Sequence, residues 1–272
     1  MPSTGKSLRL ARLSRHADGR FLFVPLDHSV SDGPITTTEK YAGLVRAIVD
    51  GGADAIVVHK GRMRQLPARL MTRCATVLHL SASTAHAPDR NSKVLVGDVE
   101  EAVQLGCDGV SVHVNIGSDT EASQLRDLGR VAAACERWGM PLLAMAYPRG
   151  PRITEPGDPA LVAHVVNIAA DLGVDLVKTV LTSPPARMAE VVANAPVPVV
   201  VAGGESAGSG LLAMASAAMD AGCRGLAVGR GVFTSPDPRR TVRELASLVH
   251  GTAPISPSRP AVQATTEMAG VL

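Results

Sequence analysis

The sequence predicts an α/β fold built as one domain, a closed (β/α)8 TIM barrel, and three observations carry that prediction. Short apolar runs recur along the chain at Phe21 to Asp27, Ala55 to Lys60, Thr76 to Ala82, Gly109 to Asn115, Pro141 to Tyr147, Leu176 to Val180, Val197 to Ala202 and Gly225 to Arg230. Stretches with helical spacing separate most of them, such as Tyr41, Leu44, Val45 and Ile48, or Leu161, Val162, Val165, Val166 and Ile168. The helix-to-strand joins repeat one layout, in Gly52-Ala53-Asp54-Ala55, Gly106-Cys107-Asp108-Gly109, Gly173-Val174-Asp175-Leu176 and Gly222-Cys223-Arg224-Gly225. Each has a glycine suited to a left-handed helix cap, a small or apolar residue, a polar residue and then a strand. Repetition of one join implies a repeated βα unit, which handedness winds into a parallel sheet. Eight such units in about 250 residues match the barrel. An open doubly wound sheet is the alternative, but no GxGxxG follows the first run.

Composition agrees and excludes several functions. The 272 residues are 46% apolar but only 2% aromatic, so Val, Ala and Leu must fill the interior, which favours parallel sheet covered by helices. A net charge of +2 without a basic block gives no nucleic-acid surface, and one Trp and two Tyr make no base-stacking platform. The four cysteines, Cys74, Cys107, Cys135 and Cys223, form no CxxC pair and read as small core residues of a reducing compartment. No signal peptide precedes Phe21, and no apolar run approaches the ~20 residues of a membrane span. A cytoplasmic location follows as an expectation. Residues 1–20 read as an N-terminal extension, with a helix over the barrel bottom, residues 21–250 as the barrel, and residues 251–272 as a disordered tail too poor in apolar side chains to pack.

In a barrel, chemistry gathers at the C-terminal ends of the strands. There the sequence places Asp27, His28, His59, Lys60, His79, Ser81, His113, Asn115, Tyr147, Arg149, Lys178, Gly203, Gly204, Gly229 and Arg230. Lys178 is the most informative, because an ammonium inside an apolar run is costly unless it is paired or gives up its proton. An unprotonated buried lysine attacks carbonyl carbon, whereas the plain alternative is an ion pair capping a barrel layer. Gly203-Gly204 and Gly229-Arg230 follow the last two strands, where barrels bind phosphate through backbone N–H groups. A lone Gly-Gly could equally be a tight turn. Tyr147 and Asp27 beside Lys178 add an acid and a base, though a satisfied interior hydroxyl and a loop cap are their bland readings. Lys60 and Arg149 are rim cations that could take the carboxylate of a second substrate, depress the Lys178 pKa by like-charge repulsion, or be solvated charges with no role. His28, His59, His79 and His113 could converge on a metal, but interior histidines are more often simply hydrogen bonded, so no metal and no cofactor are expected.

The motifs Val24-Pro25-Leu26-Asp27-His28, Leu78-His79-Leu80-Ser81, Ser111-Val112-His113-Val114-Asn115, Met145-Ala146-Tyr147-Pro148-Arg149-Gly150, Leu176-Val177-Lys178-Thr179 and Val201-Ala202-Gly203-Gly204 together resemble the class I aldolases of the archaeal fructose-bisphosphate aldolase type. The likeness runs from about Leu8 to His250 and is greatest to the branch that uses aspartate semialdehyde. Within that branch, Ser81 to Asp89 and Pro25 to Ser29 look most like the secondary-metabolism enzymes. The resemblance implies a metal-independent lyase in which Lys178 forms a Schiff base with dihydroxyacetone phosphate and the enamine adds to L-aspartate semialdehyde. It implies that Tyr147 donates a proton and Asp27 accepts one, with either able to remove the proton whose loss turns the iminium into the enamine. His28, Ser29, Val30, Ser31, Lys60, Pro148, Arg149, Gly203, Gly204, Gly229 and Arg230 would hold substrate. Barrels of this kind often assemble as homo-oligomers. Two departures stand out: Val180-Leu181-Thr182 replace a Tyr common after the Lys-Thr pair, and Glu205 follows Gly203-Gly204 where relatives tend to have Pro. Rival donors are fructose 1,6-bisphosphate or a deoxy-keto-hexose phosphate, and the rival class is a barrel that only binds a phosphorylated metabolite.

Overall fold

The repeated joins set the frame. In the computed structural model, which describes residues 3–204 and 207–251, Gly52, Gly106, Gly173 and Gly222 have φ of 101°, 73°, 90° and 88°. These are left-handed conformations that side chains with a Cβ rarely adopt. The polar residue that follows binds the neighbouring strand. Asp54 Oδ2 accepts from Leu22 N (2.7 Å), Asp108 Oδ2 from Thr76 N (3.0 Å) and Asp175 Oδ2 from Leu142 N (2.8 Å). At the fourth join the Arg224 carbonyl accepts from Phe21 N (2.9 Å). These N–H groups lie in the first two residues of their strands, so each acceptor satisfies a donor at a strand start and locks adjacent units together.

The strands are β1 (Phe21–Pro25), β2 (Ala55–Val58), β3 (Ala75–His79), β4 (Ser81–Ala82), β5 (Val94–Leu95), β6 (Gly109–Ile116), β7 (Leu142–Pro148), β8 (Leu176–Thr179), β9 (Val199–Ala202) and β10 (Gly225–Ala227). Eight of them close a barrel in the order β1-β10-β9-β8-β7-β6-β3-β2, and every barrel pair is parallel. The expected helices lie at Thr38–Gly51 and Pro159–Asp171 on the outside. All eight runs read from the sequence are strands, with one correction. The run from Thr76 to Ala82 is not a single strand, because the barrel ladder ends at Leu80, whose N–H donates to Ser111 O. Ser81 and Ala82 then turn away and pair antiparallel with Leu95 and Val94.

Alternation divides the core into two. Outward residues such as Val24, Val58, Val112, Val114, Ala144, Val177 and Val201 pack on the helices. Inward residues Phe21, Phe23, Ala55, Val57, Ala75, Val77, Leu143, Met145, Tyr147, Leu176, Val200 and Ala227 fill the interior.

The N-terminal extension contains the helix Thr4–Leu13, which seats on the start of the strands. Its Leu13 is 2% exposed and joins the interior cluster with Leu10 against it. Burial of such a side chain contributes roughly 2 kcal/mol. Lys6 is buried between Glu136 (3.1 Å) and Asp175 (3.2 Å), and Arg9 donates to Gly139 O (2.8 Å). Among the described residues no helix is long and apolar enough to cross a membrane. The predicted tail from residue 252 and Glu205 lie outside the described residues.

Candidate active site

The face that fills the barrel also delivers the polar side chains at its mouth. Two residues past an inward position comes another inward position, so Phe23 leads by way of Pro25 to Asp27, Val57 to His59, Val77 to His79, Met145 to Tyr147, Leu176 to Lys178 and Ala227 to Gly229. These residues line one cavity of about 490 Å³.

Lys178 is 8% exposed and pairs in register with Met145 of β7 and Val200 of β9. Its Nζ lies 4.0 Å from Met145 Sδ, and among the described residues no carboxylate comes within 4 Å of it. The ion-pair reading of this lysine therefore does not apply. Tyr147 stands two residues beyond Met145, one layer nearer the opening. The Arg149 guanidinium lies over its ring at 4.4 Å, and the His113 imidazole is 5.0 Å from it.

Asp27 sits across the mouth with His79 Nε2 at 3.7 Å and His28 Nδ1 at 3.4 Å. Its buried Oδ1 makes no hydrogen bond, and neither does His28 Nδ1. Burial alone would raise the Asp27 carboxyl, but His79, His28, Lys178 and His59 outweigh it and hold the pKa at about 2. The histidines are pushed the other way. Burial takes His79 down to about 4 despite Asp27 beside it, and it takes His113 well below the ordinary imidazole range, with Lys93 and Arg149 adding to the effect. Near neutral pH the mouth thus holds an ionised carboxylate, uncharged imidazoles and a lysine.

The glycine loops occupy the side beyond β9 and β10. Gly203, Gly204, Gly229 and Arg230 all line the cavity. Gly203 N–H is already spent on Ala227 O (3.1 Å), so Gly203 holds the loop in place. A Cβ at Gly229 would stand 2.5 Å from His28 Cε1 and 2.7 Å from Pro25 O. Only glycine allows β10 to approach the first loop so closely.

Of the remaining predicted residues, His28, Val30 and Ser31 line the cavity, whereas Ser29 and Pro148 do not. Lys60 is also not brought to the mouth. Its Nζ is held by both oxygens of Glu101, at 2.9 and 3.0 Å. In its place the cavity receives Arg90, Asn91 and Lys93 from the segment joining β4 and β5. Periodicity could not flag these residues, because the two-residue strands around them are too short to show alternation. The concentration of polar and charged side chains in Asp89-Arg90-Asn91-Ser92-Lys93 was the available signal.

Of the four mouth histidines, His79 and His113 are hydrogen bonded through a ring nitrogen, His59 packs on His79, and His28 Nδ1 has no hydrogen-bond partner. His79 Nδ1 lies 2.8 Å from Ser111 Oγ, His113 Nε2 2.9 Å from Asn115 Oδ1, and the His59 ring 5.2 Å from that of His79. The group of three metal-ligating side chains that does cluster among the described residues is His16, Asp54 and His250, at the opposite end of the barrel.

A closed parallel barrel with a buried lysine, a carboxylate and a tyrosine at its C-terminal mouth defines the class of Schiff-base aldolases, and comparison with known proteins agrees. Residues 21–235 match the DeoC/LacD family aldolase, and the chain belongs to that family. It is 50% identical over 247 residues to the 2-amino-4,5-dihydroxy-6-oxo-7-(phosphonooxy)heptanoate synthase of Streptomyces griseus, covering 90% of each chain. It is 40% identical over 250 residues to the 2-amino-3,7-dideoxy-D-threo-hept-6-ulosonate synthase 1 of Archaeoglobus fulgidus, covering 91% of this chain and 92% of that one. Among solved structures it resembles an archaeal fructose-1,6-bisphosphate aldolase with the catalytic Lys covalently bound to the carbinolamine intermediate of the substrate. That likeness has a TM-score of 0.81 and 27% identity over 90% of this chain and 100% of the other.

Proposed function

We propose that this aldolase joins dihydroxyacetone phosphate to L-aspartate semialdehyde through a Schiff base on Lys178. The observation that carries the reading is a buried lysine that has, among the described residues, no carboxylate within 4 Å and that shares one cavity at the barrel mouth with an ionised aspartate and a tyrosine. The product after which the 50% identical relative is named, a seven-carbon keto acid phosphate with an amino group, is what these two substrates give on addition.

The Lys178 amine adds to the ketone carbon, and loss of water leaves an iminium. That cation withdraws electrons, so the hydroxymethyl carbon next to it loses a proton and becomes the enamine. The enamine carbon bonds to the aldehyde carbon, the aldehyde oxygen takes up a proton, and water returns to release the product and the free amine. No atom is gained or lost overall. We assign the proton transfers to the Tyr147 hydroxyl. Asp27, with a pKa of about 2, is a weak proton acceptor, and its retained charge instead stabilises the iminium nitrogen. The Gly204, Gly229 and Arg230 loops would take the phosphate.

Incubation of the protein with dihydroxyacetone phosphate and a series of aldehydes, with products identified by mass and NMR, tests this reading. The seven-carbon amino-keto acid phosphate is expected, at an unchanged rate when EDTA is present. Turnover only with glyceraldehyde 3-phosphate, only with a deoxy-keto-hexose phosphate as donor, or only with added metal would overturn it.

A further inference from the structure

We propose that Lys93, with Arg149 beside it, forms a second anion site that receives the carboxylate of the aldehyde substrate and so selects charged acceptors. The inference rests on the reading above and adds the residue that would determine its acceptor.

Four observations support it. Lys93 lines the cavity with its Nζ hydrogen bonded to Ser83 Oγ, and among the described residues no carboxylate lies within 4 Å of Lys93 or of Arg149. Neighbouring cations are already matched, Arg90 to Asp32 at 3.4 Å and Lys60 to Glu101. The loop that bears Lys93 is fixed in advance. The Asn91 carbonyl accepts from Asn115 Nδ2 and from Gln124 Nε2, both at 2.8 Å, and Ala85 N donates to Ser31 O at 2.9 Å. A preordered charge loses little freedom when it meets its guest.

Position supplies the fourth observation. In the closed order of strands, β3 stands diametrically opposite β9. The Lys93 loop follows β3, the glycine loop follows β9, and Lys178 on β8 and Arg149 after β7 lie along one side between them. A donor with its phosphate on the glycine loops and its ketone on Lys178 therefore presents its reacting carbon toward Lys93. The far end of an amino-acid aldehyde is a carboxylate, which would arrive at the unmatched cations. Burial, together with Arg149 and Arg90, also pushes the Lys93 ammonium below its ordinary pKa, and an arriving carboxylate would relieve that strain.

The test compares L-aspartate semialdehyde with its methyl ester, with dihydroxyacetone phosphate as donor, in the natural protein, Lys93→Met and Lys93→Arg. The readout is the ratio of kcat/KM for acid over ester. A charge-assisted contact of this type is worth about 30-fold, so the natural protein should favour the acid by that factor. Lys93→Met should bring the ratio close to one, and Lys93→Arg should restore most of it. Equal use of acid and ester by the natural protein overturns the proposal without any variant, and so does a ratio that survives Lys93→Met. Failure of the natural protein to form a borohydride-trapped adduct with dihydroxyacetone phosphate instead overturns the underlying reading, and the proposal with it.

Discussion

In the proposed reaction, Lys178, Tyr147 and Asp27 divide one task by their surroundings. Lys178 is buried against a thioether, Tyr147 is set under a guanidinium, and Asp27 keeps its charge among uncharged histidines. Two substitutions separate their roles. Tyr147→Phe should lower turnover by roughly 10²–10⁴-fold. It should also abolish exchange of the hydroxymethyl hydrogens of dihydroxyacetone phosphate with deuterated water, while borohydride still traps the imine. Asp27→Asn should slow trapping itself, and because the carboxylate titrates at about 2, no acid limb from Asp27 should show in the natural enzyme above about pH 3. Loss of trapping in Tyr147→Phe, together with normal trapping but lost exchange in Asp27→Asn, would reverse the assignment. The placement of these three residues at the mouth was legible in the sequence because each lies late in or at the end of an apolar run, on the inward parity. Lys60 was misplaced for the same reason. His59, two residues past Val57, takes the inward position, and Lys60 begins the short helix Lys60–Met63 and meets Glu101.

At the scale of the element, the joins connect each helix to its strand, and one of them connects the ends of the chain. Asp54, fully buried, accepts from Leu22 N and from His250 Nε2 (3.0 Å), while His250 Nδ1 lies 2.8 Å from Asp18. The C-terminal helix Pro238–His250 is thereby fixed to the N-terminal segment. Burial opposes the His250 imidazolium, but Asp54 and Asp18 prevail and raise its pKa above 6.5. A base with a raised folded-state pKa contributes stability that is complete below about 6.5 and is lost as the pH rises through the folded value. His16, stacked on His250 at 4.0 Å, is pushed down by burial and by that charge and acts in the opposite sense. Comparison with His250→Gln isolates the larger effect. The natural protein should lose more of its Tm between pH 6 and pH 9 than this variant, and equal losses would refute the linkage. The Gly-x-Asp layout was visible in the sequence. Its use of the aspartate as an acceptor for the neighbouring strand was not, because that partner lies some 30 residues away, as Leu22 does from Asp54.

Over the whole molecule, a chain with 27 lysines and arginines and a net charge of +2 brings five of these cations around one cavity at the barrel mouth. Arg90, Lys93, Arg149, Lys178 and Arg230 all border the same cavity as Asp27. Such a mouth attracts a guest with an anion at each end, and its low-dielectric walls strengthen the attraction. The fold was legible because a repeated unit writes its period into the sequence. The placement of Arg90 and Lys93 in the mouth was not, since it depends on how the segment between β4 and β5 folds against the cavity. The central claim is covalent capture at one amine. Treatment with dihydroxyacetone phosphate and borohydride, followed by proteolysis and mass mapping, should place a reduced adduct on the peptide containing Lys178, and Lys178→Met should show neither adduct nor carbon–carbon bond formation. An adduct only on another lysine, or full turnover by Lys178→Met, would contradict it.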